Sequence, residues 1–231
     1  MDTPSPSLSP TPRTRLRRHA DRAQQDRAAL LDVLDHGLIC HLGVIIDGAP
    51  LVLPTVFAVD PDGPDRDGTL YLHGSVASRS LAEGQSGDIC VTVTHVDGLV
   101  LARSGFHHSM NYRSAVILGR GRLVEDADEL AHALDLVVDH VIPGRAPTLR
   151  DHTRKELAAT TVVALPLHEA SVKQRVGGPV DDDEDIEAGG WAGVLPLSVV
   201  AGRVISAPDA EGLAVPADVA ARADALGSPP I

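Results

Sequence analysis

Residues 70–79 read LYLHGSVASR, residues 88–96 read DICVTVTHV, and residues 112–123 read YRSAVILGRGRL. In each of these stretches apolar side chains recur at every second position, the period of a strand with one face buried. The same signature stands upstream at 38–46 (LICHLGVII), 51–59 (LVLPTVFAV) and 69–73 (TLYLH). Turn signals at Asp47-Gly48, Asp62-Gly63, Asp67-Gly68, Gly87 and Asp97-Gly98 separate the runs. Short strands at such regular spacing predict an antiparallel barrel rather than alternating βα units.

Helices decorate this pattern. Asp26 is placed to cap a helix through Asp35 that puts Leu30, Leu31 and Leu34 on one face, with Gly37 to end it. One or two helical turns are expected at 75–83. Residues 126–141 form an amphipathic helix with Leu130, Leu134, Val137, Val138 and Val141 as its buried stripe. Residues 151–159 can be helical, 161–167 and 191–197 read as strands, and 177–190 reads as a loop. Residues 1–12, rich in Pro, Ser and Thr, are expected to be a disordered arm. One domain spans 13–205, and 206–231 is an Ala/Pro/Asp-rich tail with a weak helix at 216–226.

Hydrophobic residues make up 43% of the chain and aromatic residues only 2%, so Val, Leu, Ile and Ala must fill the interior. The lack of aromatic platforms argues against single-stranded nucleic-acid binding. A formal net charge of -12 disfavours nucleic acid and anionic membranes as partners. No apolar run approaches the roughly 20 residues that span a bilayer, and the opening residues lack a secretory signal, so a cytoplasmic protein is expected. Cys40 and Cys90 each sit inside an apolar alternating run, where reduced thiols are expected.

Three stretches carry candidate chemistry. In 70–79, a strand leads into Gly74, Ser75, Ser78 and Arg79 at the start of a helical turn. Serine hydroxyls, helix N-terminal amides and a guanidinium suit an anion. A capped surface helix with an exposed arginine would show the same residues. In 98–114, His107 and His108 are adjacent, so on a strand they face opposite ways and do not share a metal; no metal site is expected. Tyr112, Arg113 and Ser114 suit a ligand edge or a subunit contact. Lys173 and Arg175 alternate on an extended piece, where both could face one anion or simply be solvated. The acidic run Asp181–Asp185 lacks the spacing of a calcium loop. No P-loop, Rossmann glycine fingerprint, GxSxG or HExxH occurs, so redox chemistry would need a borrowed cofactor.

The order of elements and the phrases LYLHGSVASRS (70–80), CVTVTHVDGLVLARSGFHHSMNYRSAVILGRGR (90–122) and EASVKQRVGGPVDDDEDIEAGGWAGVLPL (169–197) add up to a family likeness. From about Thr14 to about Pro208 the chain resembles the flavin-nucleotide-binding branch of the pyridoxamine 5'-phosphate oxidase-like, FMN-binding split-barrel superfamily. The resemblance implies a mainly β fold, a six-stranded antiparallel split barrel with peripheral helices, and a homodimer with FMN sites at the subunit interface. It implies that Pro54, Thr55 and Val56 line the isoalloxazine ring, that Ser78 and Arg79 grip the phosphate, and that His73, Gly74 and Ser75 lie beside the ribityl chain. Arg113 and Ser114 fall where the family places a polar side chain near the flavin, with serine shorter than the glutamine common in the oxidase proper. Lys173, Arg175 and Trp191 fall where the C-terminal part reaches the partner's site.

The resemblance implies an FMN-dependent oxidoreductase acting on a small molecule, with no catalytic residue assigned. The arginine-rich C-terminal substrate motif of the oxidase proper is missing, which argues against vitamin B6 oxidation. Related split barrels leave three alternatives open: a heme-binding or heme-handling protein with His107 or His108 as axial ligand, a deazaflavin-dependent reductase, and a non-catalytic flavin-binding protein. Small nitroimidazole reductases carry a histidine where His73 stands.

Overall fold

A computed structural model describes residues 7–8 and 11–227. The helix expected after Asp26 is α1 (Arg27–His36): the Asp26 carboxylate accepts from the Ala28 N–H at 3.0 Å, and the Gly37 N–H returns to the Leu34 carbonyl. Leu30, Val33 and Leu34 form its buried face.

Eleven strands follow the alternating runs: β1 (Ala23–Gln24), β2 (Cys40–Ile46), β3 (Ala49–Thr55), β4 (Phe57–Asp60), β5 (Thr69–Ser75), β6 (Asp88–Leu101), β7 (Ser109–Arg120), β8 (Arg122–Leu123), β9 (Thr160–Pro166), β10 (Ala170–Arg175) and β11 (Gly193–Pro196). All pairings are antiparallel. One sheet runs β1-β10-β7-β6-β2-β3 with β11 also on β6, and the other runs β4-β5-β9-β8. The architecture is the mainly β split barrel with peripheral helices that the sequence predicts.

The strand count exceeds six for local reasons. The run 51–59 divides at Val56, where the chain leaves one sheet for the other. The run 112–123 divides at Gly121, whose N–H donates to the Gly84 carbonyl at 3.1 Å. The turn expected at Asp97-Gly98 is instead an irregularity within β6, with the register shifting between Val96 and Gly98. A side chain at Gly98 would stand 3.1 Å from the Leu195 carbonyl oxygen, so glycine there lets β11 lie close.

Aliphatic side chains fill the barrel. Leu70, Leu72, Val91, Val93, Ile117 and Leu165 are fully buried around Phe57, one of the few aromatic residues. On the far face of the smaller sheet lies α3 (Ala127–Val141), capped by Asp126, with Ala133, Leu134 and Val137 packed near Tyr71, Val162 and Ala164. Val141, expected on the buried stripe, ends the helix and is exposed. The Tyr71 hydroxyl donates to Glu129 at 3.1 Å, and Arg122 joins that carboxylate to Asp65. Burial and the neighbouring carboxylate hold the Tyr71 phenol well above its ordinary pKa. The remaining helices are α2 (Arg79–Ser86), α4 (Arg154–Ala159) with a Thr153/Glu156 capping box, α5 (Asp183–Ala188) and α6 (Ala217–Gly227). No helix among the described residues is long and apolar enough to cross a membrane.

The arm expected at 1–12 lies mostly outside the described residues. Leu8 is buried and donates its N–H to the Gln25 carbonyl at 2.8 Å. Arg13 then binds Glu169 and Asp88, and Thr14 is buried. The Arg13 guanidinium and the Thr11 hydroxyl hold the Glu169 carboxyl down to about 2.

Gly121 tests the packing between α2 and the smaller sheet. A β-carbon there would stand 2.5 Å from both the Gly84 oxygen and a Val163 methyl. Gly121→Ala is expected to destabilise the fold by about 1–3 kcal/mol in urea unfolding. Gly105→Ala, which meets open space, is expected to stay within about 0.5 kcal/mol of the parent; equal stability of the two variants would contradict this packing.

Candidate functional site

Strand β3 is hydrogen-bonded to β2 and to no other strand among the described residues. Its Pro50 and Pro54 have no N–H to give, which suits an edge and discourages pairing with another strand. Leu51 and Val52 are exposed there. The free edge offers backbone donors and acceptors at the two-residue strand repeat, a surface that a planar heterocycle with polar edges can use.

The loop 74–79 starts near the C-terminal end of β3. Strand β4 pairs Phe57 with Leu72 of β5, which sets Val56 level with His73 and leads the chain onward to Gly74 and Ser75. The Ser78 N–H donates to the Ser75 carbonyl at 2.8 Å and the Ala77 N–H to the Ser75 hydroxyl at 3.3 Å, forming a tight turn. Ser78 then caps α2, accepting from the Leu81 N–H at 3.5 Å. Gly74 leaves room for Leu81, the residue that seats α2 in the core: a β-carbon there would come to 3.0 Å from a Leu81 methyl, which would have to shift.

Arg79 projects to the opposite end of β3. One of its terminal nitrogens donates to both oxygens of Asp47, at 3.0 and 2.9 Å, in the β2–β3 turn. This hydrogen bond and the Asp47 charge raise the guanidinium pKa. Both partners are exposed, so the pair is weak and Arg79 can exchange Asp47 for another anion. Sequence reading takes Asp47 only as a turn residue. Nothing local in the chain announces an arginine partner 32 positions away.

The other expected site residues form a second group. The Arg113 guanidinium is clamped by Asp97 of β6 at 3.2 Å and by Asp32 of α1 at 2.9 Å, and these hydrogen bonds raise its pKa. Ser114 shares a hydroxyl hydrogen bond with Thr94 at 3.0 Å. Arg175 donates to the Asn111 side-chain oxygen at 2.6 Å and to the Gly177 and Gly178 carbonyls at 3.2 and 3.0 Å. Lys173 lies opposite Ser114 on the same pair of strands. Trp191 is exposed, with its ring over Gly193. Three strand intervals separate β7 from β3, roughly 14 Å along the sheet. One chain thus sets Val56 level with His73, carries Arg79 to the β2–β3 turn, and keeps 113–114 and 173–175 apart from β3.

Histidines fall into contrasting settings. By strand alternation His73 shares the Tyr71 face of β5, the side covered by α3, rather than the barrel interior where Leu70 and Leu72 point. Its Nδ1 is buried with no hydrogen-bond partner among the described residues, and burial lowers its pKa. His107 and His108 are not on a strand: Gly105–His107 is a 3-10 turn. His107 Nε2 meets Asp182 at 3.2 Å, and His108 Nδ1 meets the Ser104 carbonyl at 2.9 Å. The acidic run beyond is partly helical. Asp181 is buried against Arg103, accepting from its backbone N–H at 2.8 Å and its side chain at 2.7 Å.

The fold is a split barrel with a free edge strand and a serine- and arginine-bearing loop after β5. Residues 26–174 match the model of the pyridoxamine 5'-phosphate oxidase family, and the chain belongs to that family. The solved flavocytochrome Anf3 from Azotobacter vinelandii is 36% identical, with a TM-score of 0.84 over 93% of this chain and 98% of that one. The FAD and heme binding protein from Mycobacterium smegmatis is 39% identical, with a TM-score of 0.80 over 87% of this chain and 96% of that one. No curated protein sequence matches the chain.

Proposed function

We propose that the chain is a flavin-dependent oxidoreductase that holds the FMN moiety, common to FMN and FAD, along the free edge of β3. The observation that carries this reading is the unpaired edge of β3, with Val56 beyond one end level with His73 and the Arg79 guanidinium on Asp47 in the turn that leads into its other end. Pro54, Thr55 and Val56 would present backbone groups to the ring, Gly74 and Ser75 would flank the ribityl chain, and Ser78 with Arg79 would take the phosphate. Bound there, the flavin supplies the electron-transfer chemistry; the chain binds it, orients it and shields one face from water. Both similar structures named above are described as binding a flavin, as FAD or as a flavocytochrome.

Heme is a second reading, favoured because one of these structures is named for heme and the other as a flavocytochrome. His107 and His108 each engage one ring nitrogen, with Asp182 and Ser104, and the buried Nδ1 of His73 has no partner among the described residues. A histidine that ligates iron commonly gives its second nitrogen to an acceptor, so His73 joins His107 and His108 as a candidate axial ligand.

Reconstitution of the stripped protein with FMN is expected to give flavin absorbance. Arg79→Ala is expected to weaken that binding about tenfold or more, the scale of one charge-assisted hydrogen bond. Asp47→Asn is expected to tighten it by removing the competing carboxylate. Affinities unchanged in both variants would place the phosphate elsewhere. In the same spectra, a Soret band on adding heme that is lost in one of His73→Ala, His107→Ala and His108→Ala supports the heme reading, and its absence rejects it.

The reading also includes a homodimer, with a second copy on the exposed apolar side chains of β2 and β3, among them Ile45, Leu51 and Val52. Such a patch is unfavourable in water. Sedimentation at twice the chain mass, reduced to one chain mass by Val52→Glu, is expected; a monomeric parent protein would contradict it.

A further inference from the structure

The formal charge of the chain is very unevenly distributed. Residues 11–22 contain Arg13, Arg15, Arg17, Arg18 and Arg22 against the single acid Asp21, a formal +4 in a chain of -12. Elsewhere most arginines are neutralised: Arg27, Arg79, Arg103, Arg113, Arg122, Arg145 and Arg150 each meet a carboxylate, and those without an ion pair among the described residues, Arg66, Arg154, Arg175, Arg203 and Arg222, do not cluster in sequence. Among the described residues Arg15, Arg17, Arg18 and Arg22 have no ion pair, and the first three are exposed.

This segment is anchored rather than loose. Arg13 is bound to Glu169 and Asp88, Thr14 is buried, and β1 pairs with β10 through Ala23 opposite Lys173. Four like charges are thus held on a fixed scaffold without internal compensation. Their mutual repulsion is relieved when an anion binds.

Two cavities flank the β1–β10 junction. One, of about 300 Å³, has apolar walls from Leu16, Ala23 and Val172, amide groups from Gln24 and Gln25, and Arg15 at its rim. The other, of about 420 Å³, is more polar and is bordered by Arg22 and Arg175, together with Asp21 and the Gly177-Gly178 turn. A small apolar cavity with a few amides suits a heterocyclic base, and guanidinium groups beside it suit phosphate oxygens.

We propose that the arm 13–22 and β10 form a binding site for an ADP moiety, with the base in the cavity beside Gln24 and Gln25 and the diphosphate on the unpaired arginines. The ligand that carries this chemistry is a pyridine dinucleotide acting as electron donor; an FAD whose flavin phosphate sits on Ser78 and Arg79 does not supply it, because that phosphate is one half of its own diphosphate and β10 lies four strand intervals from β3. The donor role rests on the flavin reading above, whereas occupancy of the site by ADP does not.

The probe is the fluorescent nucleotide mant-ADP, titrated into the full-length protein. Saturable binding is expected, weakening about tenfold or more in an Arg15→Gln, Arg17→Gln, Arg18→Gln triple variant, whose changes are all at exposed positions. Pyrophosphate is expected to compete only weakly, because it lacks the base. No binding at millimolar probe, an affinity unchanged in the triple variant, or equal competition by pyrophosphate would each overturn the proposal. Arg79→Ala is expected to leave mant-ADP binding intact, so failure of this site and failure of the flavin site are separate results. Protein loaded with FMN or with FAD is expected to bind mant-ADP alike, and NADH is expected to displace the probe; loss of the probe on loading FAD, or no displacement by NADH, would overturn the donor role.

Discussion

The architecture depends on one strand being paired on one side only. β3 bonds to β2, and at Val56 the chain leaves that sheet to start β4 in the other. Closing the split would bury the outer edge of β3. Leaving it open exposes backbone groups that must find partners in water or in a ligand. The prolines at 50 and 54 keep the edge from recruiting a further strand, so the opening is a stable feature of the monomer fold. The crossing at Val56 also sets β4 against β5, and β5 leads out through Gly74 to Arg79, whose guanidinium reaches the β2–β3 turn.

Around this opening the polar groups divide into those that hold the fold and those left to the surface. Arg122, Asp65, Glu129 and Tyr71 tie α3 to the smaller sheet, and Arg13 with Glu169 ties the N-terminal segment to the larger one. Arg113 is committed to Asp32 and Asp97. Arg79 has only an exposed pair with Asp47, and among the described residues the arginines at 15, 17, 18 and 22, close together in sequence, have no ion pair. In a chain with a large acidic surplus, such clustered positive charge is a place where an anion gains from binding.

Much of the fold is legible in the sequence because period-two alternation and side-chain caps are local signals. Asp26 caps its helix as expected, Asp126 caps the helix expected at 126–141, and the strand runs appear within a few residues of their expected bounds. The departures come from contacts between distant segments. Gly98 reads as a turn and becomes an irregularity in β6 because β11 packs against it. Part of 177–190 becomes α5, beside an Asp181 buried against Arg103 from 78 residues upstream. The candidate site is half legible. The serine and arginine pattern at 75–79 stands in the chain itself, while the Asp47 partner, the separation of Arg113 from β3 and the anchoring of the arginine-rich arm follow only from tertiary placement.

The central claim is that a flavin lies along the outer edge of β3. Hydrogen exchange of the backbone amides, compared between flavin-stripped and FMN-loaded protein, tests it most directly. The account predicts slower exchange in residues 51–56 and 74–79 on loading, with little change in β9. Protection confined to other segments, with 51–56 exchanging as before, would contradict it.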